Sequence, residues 1–344
     1  AAAQSNAWSQ AAPLRLAYTR KVEHLNQRAD TFFQSLSAPA PKAPPPLLAT
    51  DAAHRDILHT LFNRDKRLII GAADRSVASK QVLIEQLPAL VEQGLKRVYI
   101  ENLPRDLFHR KLKILNNQLP GDKAHALKQI ADHLKWIDET VGLTEEAPFT
   151  YRKLLLETQR LNIAIDGLDG TVSYHLDNAL EIGDAPRFVP RSSKLRNFYS
   201  HTTLEHNLSI NPDEPWIALV DSNRLGTYEH VPGLADLQKT LALRVEDVAP
   251  GQPTGLKPDT ASSGLSRGDY LLSIAVTRAV PPTPVATLPE AAAVAHFAEF
   301  DMPHAFHRQI REMIPIHRSL DTRYSPSPPA KVHFSETRQR LANA

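Results

Sequence analysis

Acidic residues recur where short apolar runs stop. Asp74 follows RLIIG, Glu101 closes RVYIE, Asp166 closes NIAID with Asp169 just beyond, and Asp221 closes WIALVD with Arg224 three residues on; Glu246 and Asp247 end a fifth run. A single carboxylate in such a place is ordinarily a turn former or a helix cap. Several on one rim would repel one another, and that arrangement calls for a cation, an arginine or raised pKa values. Arg224 is the internal counter-charge to hand. Oxygen-only donors suit a hard ion such as Mg or Ca, and Asp74, Glu101, Asp166 and Asp221 are the candidate ligands. Zinc or iron would normally want imidazole as well, and none of the fifteen histidines lies at the end of such a run. If the rim is active, Glu101, Asp166 and Asp74 are its proton-handling carboxylates.

Other routes to chemistry find little support. The chain has no cysteine, which excludes disulfides, thiolate nucleophiles and thiolate metal sites. No G-x-S-x-G elbow, G-x-x-x-x-G-K-[ST] loop or G-x-G-x-x-G turn occurs. His201 and Glu205 share a helical face without a second histidine in register, and His304, His307 and Glu312 lack a zinc spacing. Arg187, Arg191, Lys194 and Arg196 form a local basic patch that could meet phosphate or anionic lipid, although a solvated helix face explains it as well. Basic residues do not alternate with aromatic ones, so no nucleic-acid partner is expected.

The elements that must position these residues alternate. Continuous apolar runs, of the kind buried on both faces of a sheet, predict strands at 67–71, 97–101, 162–166, 216–221, 244–247 and 270–275. Helical spacing predicts helices at 77–95, 106–119, 123–141, 150–162, 193–208 and 234–241. Such alternation implies an α/β fold with a mostly parallel sheet and helices on both faces, whose ligands bind outside the carboxyl ends of the strands. An N-terminal helical arm and an extended C-terminal tail flank it. Residues 14–36 read as an amphipathic helix, and the proline-dense SAPAPKAPPPLL after it as an extended connector. The expected division is therefore 1–48 for arm and connector, 49–300 for the α/β domain, and 301–344 for a last helix and tail.

With 344 residues, 42% apolar and 23% charged, the chain can build a sizeable core, and its net charge of +2 draws it to neither nucleic acid nor membrane. No window approaches the roughly 18 apolar residues of a membrane span. A start without Met suggests a fragment or a processed product.

Three stretches, RLIIGAADRSVASKQVLIEQLPALVEQGLKRVYIENLPRDLFHRKL, RLNIAIDGLDGTVSYHL and WIALVDSNRLGTYEHVPGLADLQKTLALRVEDV, occur in an order and spacing that resemble the ChaN-like, erythromycin-esterase-like (Tiki/TraB-related) family. The resemblance is closest to the version found in bacterial type III effectors and membrane-targeted effector domain toxins. It covers about residues 67–248. Members of that family usually carry G-E-x-H after the first strand, L-Y-x-E-H at the second, A-x-D after the third and V-G-N-x-H-x-N-T after the fourth. In this chain the first glutamate is Ala72 and its histidine Asp74. Glu101 and Asp166 are kept, Asn102 replaces the second histidine, and Arg224 the last one, while Thr227 fits the scaffold. Neither Ala72 nor Arg224 can accept a proton near neutral pH, so chemistry built on imidazole and glutamate should fail on a frame that survives.

The resemblance implies a domain of a secreted bacterial toxin or effector, delivered to a host cell, with a degenerate rim that binds a host protein or an anionic membrane lipid. The candidate binding residues are Arg224, Asp221, Asn102, Tyr174, Asn197 and Thr227. No cofactor is then expected. Two alternatives stand beside it: a hydrolase using Mg or Ca on the surviving carboxylates, and a membrane-targeting or delivery module of a larger toxin.

Overall fold

In the computed structural model, residues 23–36, 54–73, 76–140, 142–170, 190–228, 230–260 and 268–277 are described. Asp74, Tyr174, Arg187, the proline-rich connector, the His304–Glu312 stretch and the C-terminal tail lie outside them. In chain order the elements are α1 (residues 23–35), α2 (His54–Asp65), β1 (Arg67–Ala72), α3 (Ala78–Glu92), β2 (Arg97–Pro104), α4 (Arg105–Leu115), α5 (Lys123–Thr140) and α6 (Tyr151–Arg160). They continue as β3 (Ala164–Asp169), α7 (Pro190–Ile210), β4 (Trp216–Asp221), a 3-10 turn (Ser222–Arg224), α8 (Leu234–Gln238), β5 (Ala242–Val248), β6 (Gly255–Pro258) and β7 (Tyr270–Ala275).

The seven strands form one sheet in the order β3-β2-β4-β1-β5-β7-β6. Every pairing is parallel except β6 with β7. Helices cover both faces, as the alternation implies. Successive side chains of a strand point to opposite faces, and β1 divides accordingly. Leu68 and Ile70 enter the larger core, with α2, α3, α5 and α6, while Ile69 joins Tyr99, Trp216 and Leu204 in a second core under α7 and α8. Helix α1 packs on α7 through Phe32 and Phe198, whose rings lie 5.4 Å apart.

Several boundaries differ from expectation, each for a local reason. The third strand starts at Ala164 rather than Asn162, because Asn162 adopts φ 54° and closes α6 in the left-handed region that asparagine tolerates. Asp166 consequently lies inside β3 rather than at its end, and Asp169, expected just beyond the strand, closes it. Helix α8 stops at Gln238, not residue 241, where Lys239 turns left-handed at φ 52°, and β5 begins two residues early. Helix α3 ends at Glu92, short of 95, before Gly94 at φ 100°. Strand β6 occupies a stretch that reads as a Pro/Gly loop; its Pro258 is tolerated because β6 is the sheet's outer edge. Helix α2 is a further addition, built on Ile57, Leu58, Leu61 and Phe62 at helical spacing.

Candidate functional site

The carboxyl ends of β2, β3 and β4 meet the first turns of α7, and there four charged side chains interlock. Glu101 on β2 and Asp169 at the end of β3 are 3% and 1% exposed, and Arg224 in the 3-10 turn after β4 is 2% exposed. Arg224 Nη1 lies 2.9 Å from Glu101 Oε2 and 3.1 Å from Asp169 Oδ1. Arg196 on α7 completes the ring, its Nη2 2.5 Å from Glu101 Oε1 and 3.1 Å from Asp169 Oδ2. The backbone N–H of Asp221 donates to Glu101 Oε2 at 2.6 Å. All four carboxylate oxygens are thus engaged, and two guanidiniums balance two carboxylates.

An outer set of groups fixes the arginines. Arg224 Nε donates to Asn197 Oδ1 at 3.2 Å and its Nη2 to the carbonyl of Arg196 at 2.9 Å and to Ser200 Oγ. Asn197 Nδ2 in turn donates to the Pro232 carbonyl at 3.0 Å, and Ser200 Oγ to the Leu168 carbonyl at 2.9 Å. Arg196, Asn197 and Ser200 lie on one face of α7 at helical spacing.

Burial acts against every charge here, and the outcome differs between the two acids. For Glu101, burial would raise the carboxyl, but Arg196, Arg224 and the Asp221 N–H outweigh it and hold the group below its ordinary value. For Asp169 burial prevails over the same two arginines, and its carboxyl is raised. Burial would likewise weaken the Arg196 cation, yet Glu101, Asp169 and Asp221 hold it more firmly protonated than usual. A guanidinium neither ligates a metal nor takes up a proton. The arrangement is a buried ring in which both carboxylates are paired with both guanidiniums.

The remaining candidates take other positions. Asp166 keeps a separate set of partners, Arg97 at 3.5 Å and Arg105 at 3.3 Å, with Asn207 Nδ2 at 3.4 Å. The Asp221 carboxylate caps the 3-10 turn by accepting from Asn223 N at 2.8 Å. Asn102 offers its carbonyl to the buried His133, 3.1 Å away, whose ring lies between Phe108 and Trp136. Thr227 Oγ1 donates to Asp236 Oδ2 at 2.8 Å and ties the turn to α8. The structure therefore joins Glu101, Arg224 and Asn197, with the Asp221 backbone, and leaves Asp166, Asn102 and Thr227 outside that group.

The carboxyl end of β1 is filled as well. Gly71 admits Leu225 so closely that an added Cβ would stand 2.4 Å from its side chain. The N-terminus of α3, a natural anion position, is taken by Asp247 at the end of β5. That carboxylate accepts from Ser76 Oγ at 2.7 Å, Val77 N at 2.9 Å and Ala78 N at 3.1 Å. Among the described residues no group of three or more His, Asp or Glu is placed to hold a metal ion.

Asp169, read at the third strand end, and Arg196, read in a basic patch, are the members not counted among the site candidates. Arg196 in particular is not part of a solvated basic face: it turns inward to the two acids. The signal was available in Arg196, Asn197 and Ser200, a polar face on a helix that otherwise buries Leu195, Phe198, Tyr199 and Leu204.

Neither a known family nor a curated protein matches the sequence. Among solved structures, the chain is similar to the C-terminal region of Pasteurella multocida toxin, described as carrying a thiol-protease-like catalytic triad. There the TM-score is 0.45 and the identity 16%, over 70% of this chain and 29% of that one. It is also similar to RRSP, a MARTX toxin effector domain from Vibrio vulnificus CMCP6, with a TM-score of 0.45 and 17% identity over 67% of this chain and 44% of that one. A third likeness, to the type III effector HopBA1, has a TM-score of 0.39 and 11% identity over 69% of this chain and 98% of that one. The chain thus spans under half the length of two of these three. With TM-scores below 0.5, the chemistry of this chain rests on its own side chains. A thiol triad cannot be among them, because there is no cysteine.

Proposed function

We propose that this chain is a domain of a secreted bacterial toxin or effector of the ChaN-like, erythromycin-esterase-like kind, in which the catalytic rim has become a structural plug and the domain acts by binding a host component. The single observation that supports this is the saturation of Glu101 and Asp169 by Arg196 and Arg224. Arg224 stands where the resemblance implies a histidine, and it converts a proton-transfer position into a permanent cation. A host protein or an anionic lipid are the proposed kinds of partner.

The competing metal-dependent hydrolase would have to free Glu101 from two guanidiniums before an ion could approach. Calorimetric titration of the whole chain with Mg and with Ca separates the two. The plug predicts no tight binding of either ion. Tight binding that disappears in Glu101→Gln would overturn it and install the hydrolase reading.

A further inference from the structure

Away from the plug, on the flank of edge strand β3, a cavity of about 100 Å³ opens between α4 and the C-terminal half of α7. By the measure in which a water needs about 10–15 Å³, it has room for a tetrahedral oxyanion. Its ionisable lining is one-sided. Among the described residues, Arg97 comes from β2, Arg105, His109 and Lys113 from α4, and His206 from α7, against one lining carboxylate, Asp166 of β3.

That carboxylate is already shared. It faces both Arg97 and Arg105, while Arg97 leans mainly on Glu214, whose Oε1 is 2.6 Å from its Nε. Arg105 is 6% exposed; its Nη2 donates to Asn207 Oδ1 at 3.0 Å, but its Nη1 is sealed from solvent and has no hydrogen-bond acceptor among the described residues. A buried donor without an acceptor costs about 1–3 kcal/mol, so natural folds seldom leave one idle. One turn apart on α4, His109 and Lys113 face the same space, and Lys113 has no ion-pair partner among the described residues. We infer that this pocket is an anion site that takes a phosphate group, with Arg105 and Lys113 as its charged contacts and His109 and His206 as neutral hydrogen-bonding walls.

The two imidazoles report the same field. Burial first, and then the cations of Lys113 and Arg105, push His109 down to about 4 against the opposing pull of Asp166. His206 is lowered by burial, Arg105 and Lys113 in the same way, again opposed by Asp166. An anion seated among them would raise both values, so it binds more tightly as pH falls. This assignment is independent of the plug at the strand ends.

The test is calorimetry on the whole chain at low ionic strength with inorganic phosphate, and with sulfate, which keeps its charge across the range. Saturable binding is expected, weakened about tenfold or more by Lys113→Glu and unchanged by Lys128→Glu on the exposed face of α5. Sulfate should bind about threefold or more tighter near pH 4.5 than near pH 7.5, because an anion raises His109 from about 4, and His109→Gln should weaken that dependence. Vesicles containing phosphatidic acid, run beside free phosphate, show whether a lipid headgroup or a soluble phosphate is the better source. No binding of phosphate, sulfate or vesicles, or binding that Lys113→Glu leaves intact while circular dichroism shows the variant folded, would overturn the assignment.

Discussion

Arg224 Nη1 sits 2.9 Å from Glu101 Oε2, both side chains almost fully buried, where two strand ends of the sheet meet. Removing one partner of a buried pair leaves an uncompensated charge, which costs about 3–5 kcal/mol. Arg224→Ala should lower stability by about that amount, because Glu101 and Asp169 would then share Arg196 alone. Urea unfolding of both proteins measures it, and a loss below about 1 kcal/mol would mean that the ring contributes little.

The two acids should also titrate with shifts of opposite sign. An ordinary glutamate holds its proton to slightly higher pH than an ordinary aspartate. Here Glu101 is lowered and Asp169 raised, so the usual gap between the two narrows or reverses. The signs for stability follow. The contribution of Glu101 is present above its unfolded value and is lost as pH falls through its lower folded value. That of Asp169 is largest below its unfolded value and is lost as pH rises through its raised folded one. Asp169→Asn should therefore be tolerated better near neutral pH than Glu101→Gln. Carboxyl NMR titration and paired urea melts give both answers.

Much of this frame is legible in the residues, and the illegible parts have physical causes. The runs at Leu68–Ile70, Val98–Ile100 and Ile217–Val220 are continuous because both faces of a parallel sheet are covered. Glu101 with Arg224 could be paired from their places at strand ends. Asp169 also reads as a strand-end carboxylate, but the choice of Asp166 over it fails, since the left-handed turn at Asn162 shifts β3 and carries Asp166 down the strand toward Arg97 and Arg105. Arg196 was hidden for another reason. Periodicity says which residues share a helix face, but not that α7 lays that face across the strand ends.

Gly71 marks a further constraint of the same mouth. A Cβ there would come within 2.4 Å of Leu225, the residue that follows Arg224 and is itself fully buried. Overpacking of this kind costs about 1–3 kcal/mol. Gly71→Ala should destabilise by that much, and Leu225→Ala in the same chain should recover part of the loss by clearing the space. If the double variant is no better than the sum of the singles, the clash is not the cause.

Asp247 offers the last test, because it bears on why the first turn of α3 should be closed to ligands. Three donors, Ser76 Oγ, Val77 N and Ala78 N, converge on its carboxylate, and Val77 has no side chain able to cap the helix. Asp247→Ala should cost about 0.5–2 kcal/mol, the range for loss of a helix cap. It should also uncover two backbone N–H groups at a helix N-terminus, which is a place where anions bind. Sulfate should consequently stabilise Asp247→Ala against urea more than it stabilises the parent chain. An equal effect of sulfate on both would mean that the helix end stays closed without the carboxylate, and that the α3 turn is held by something other than this cap.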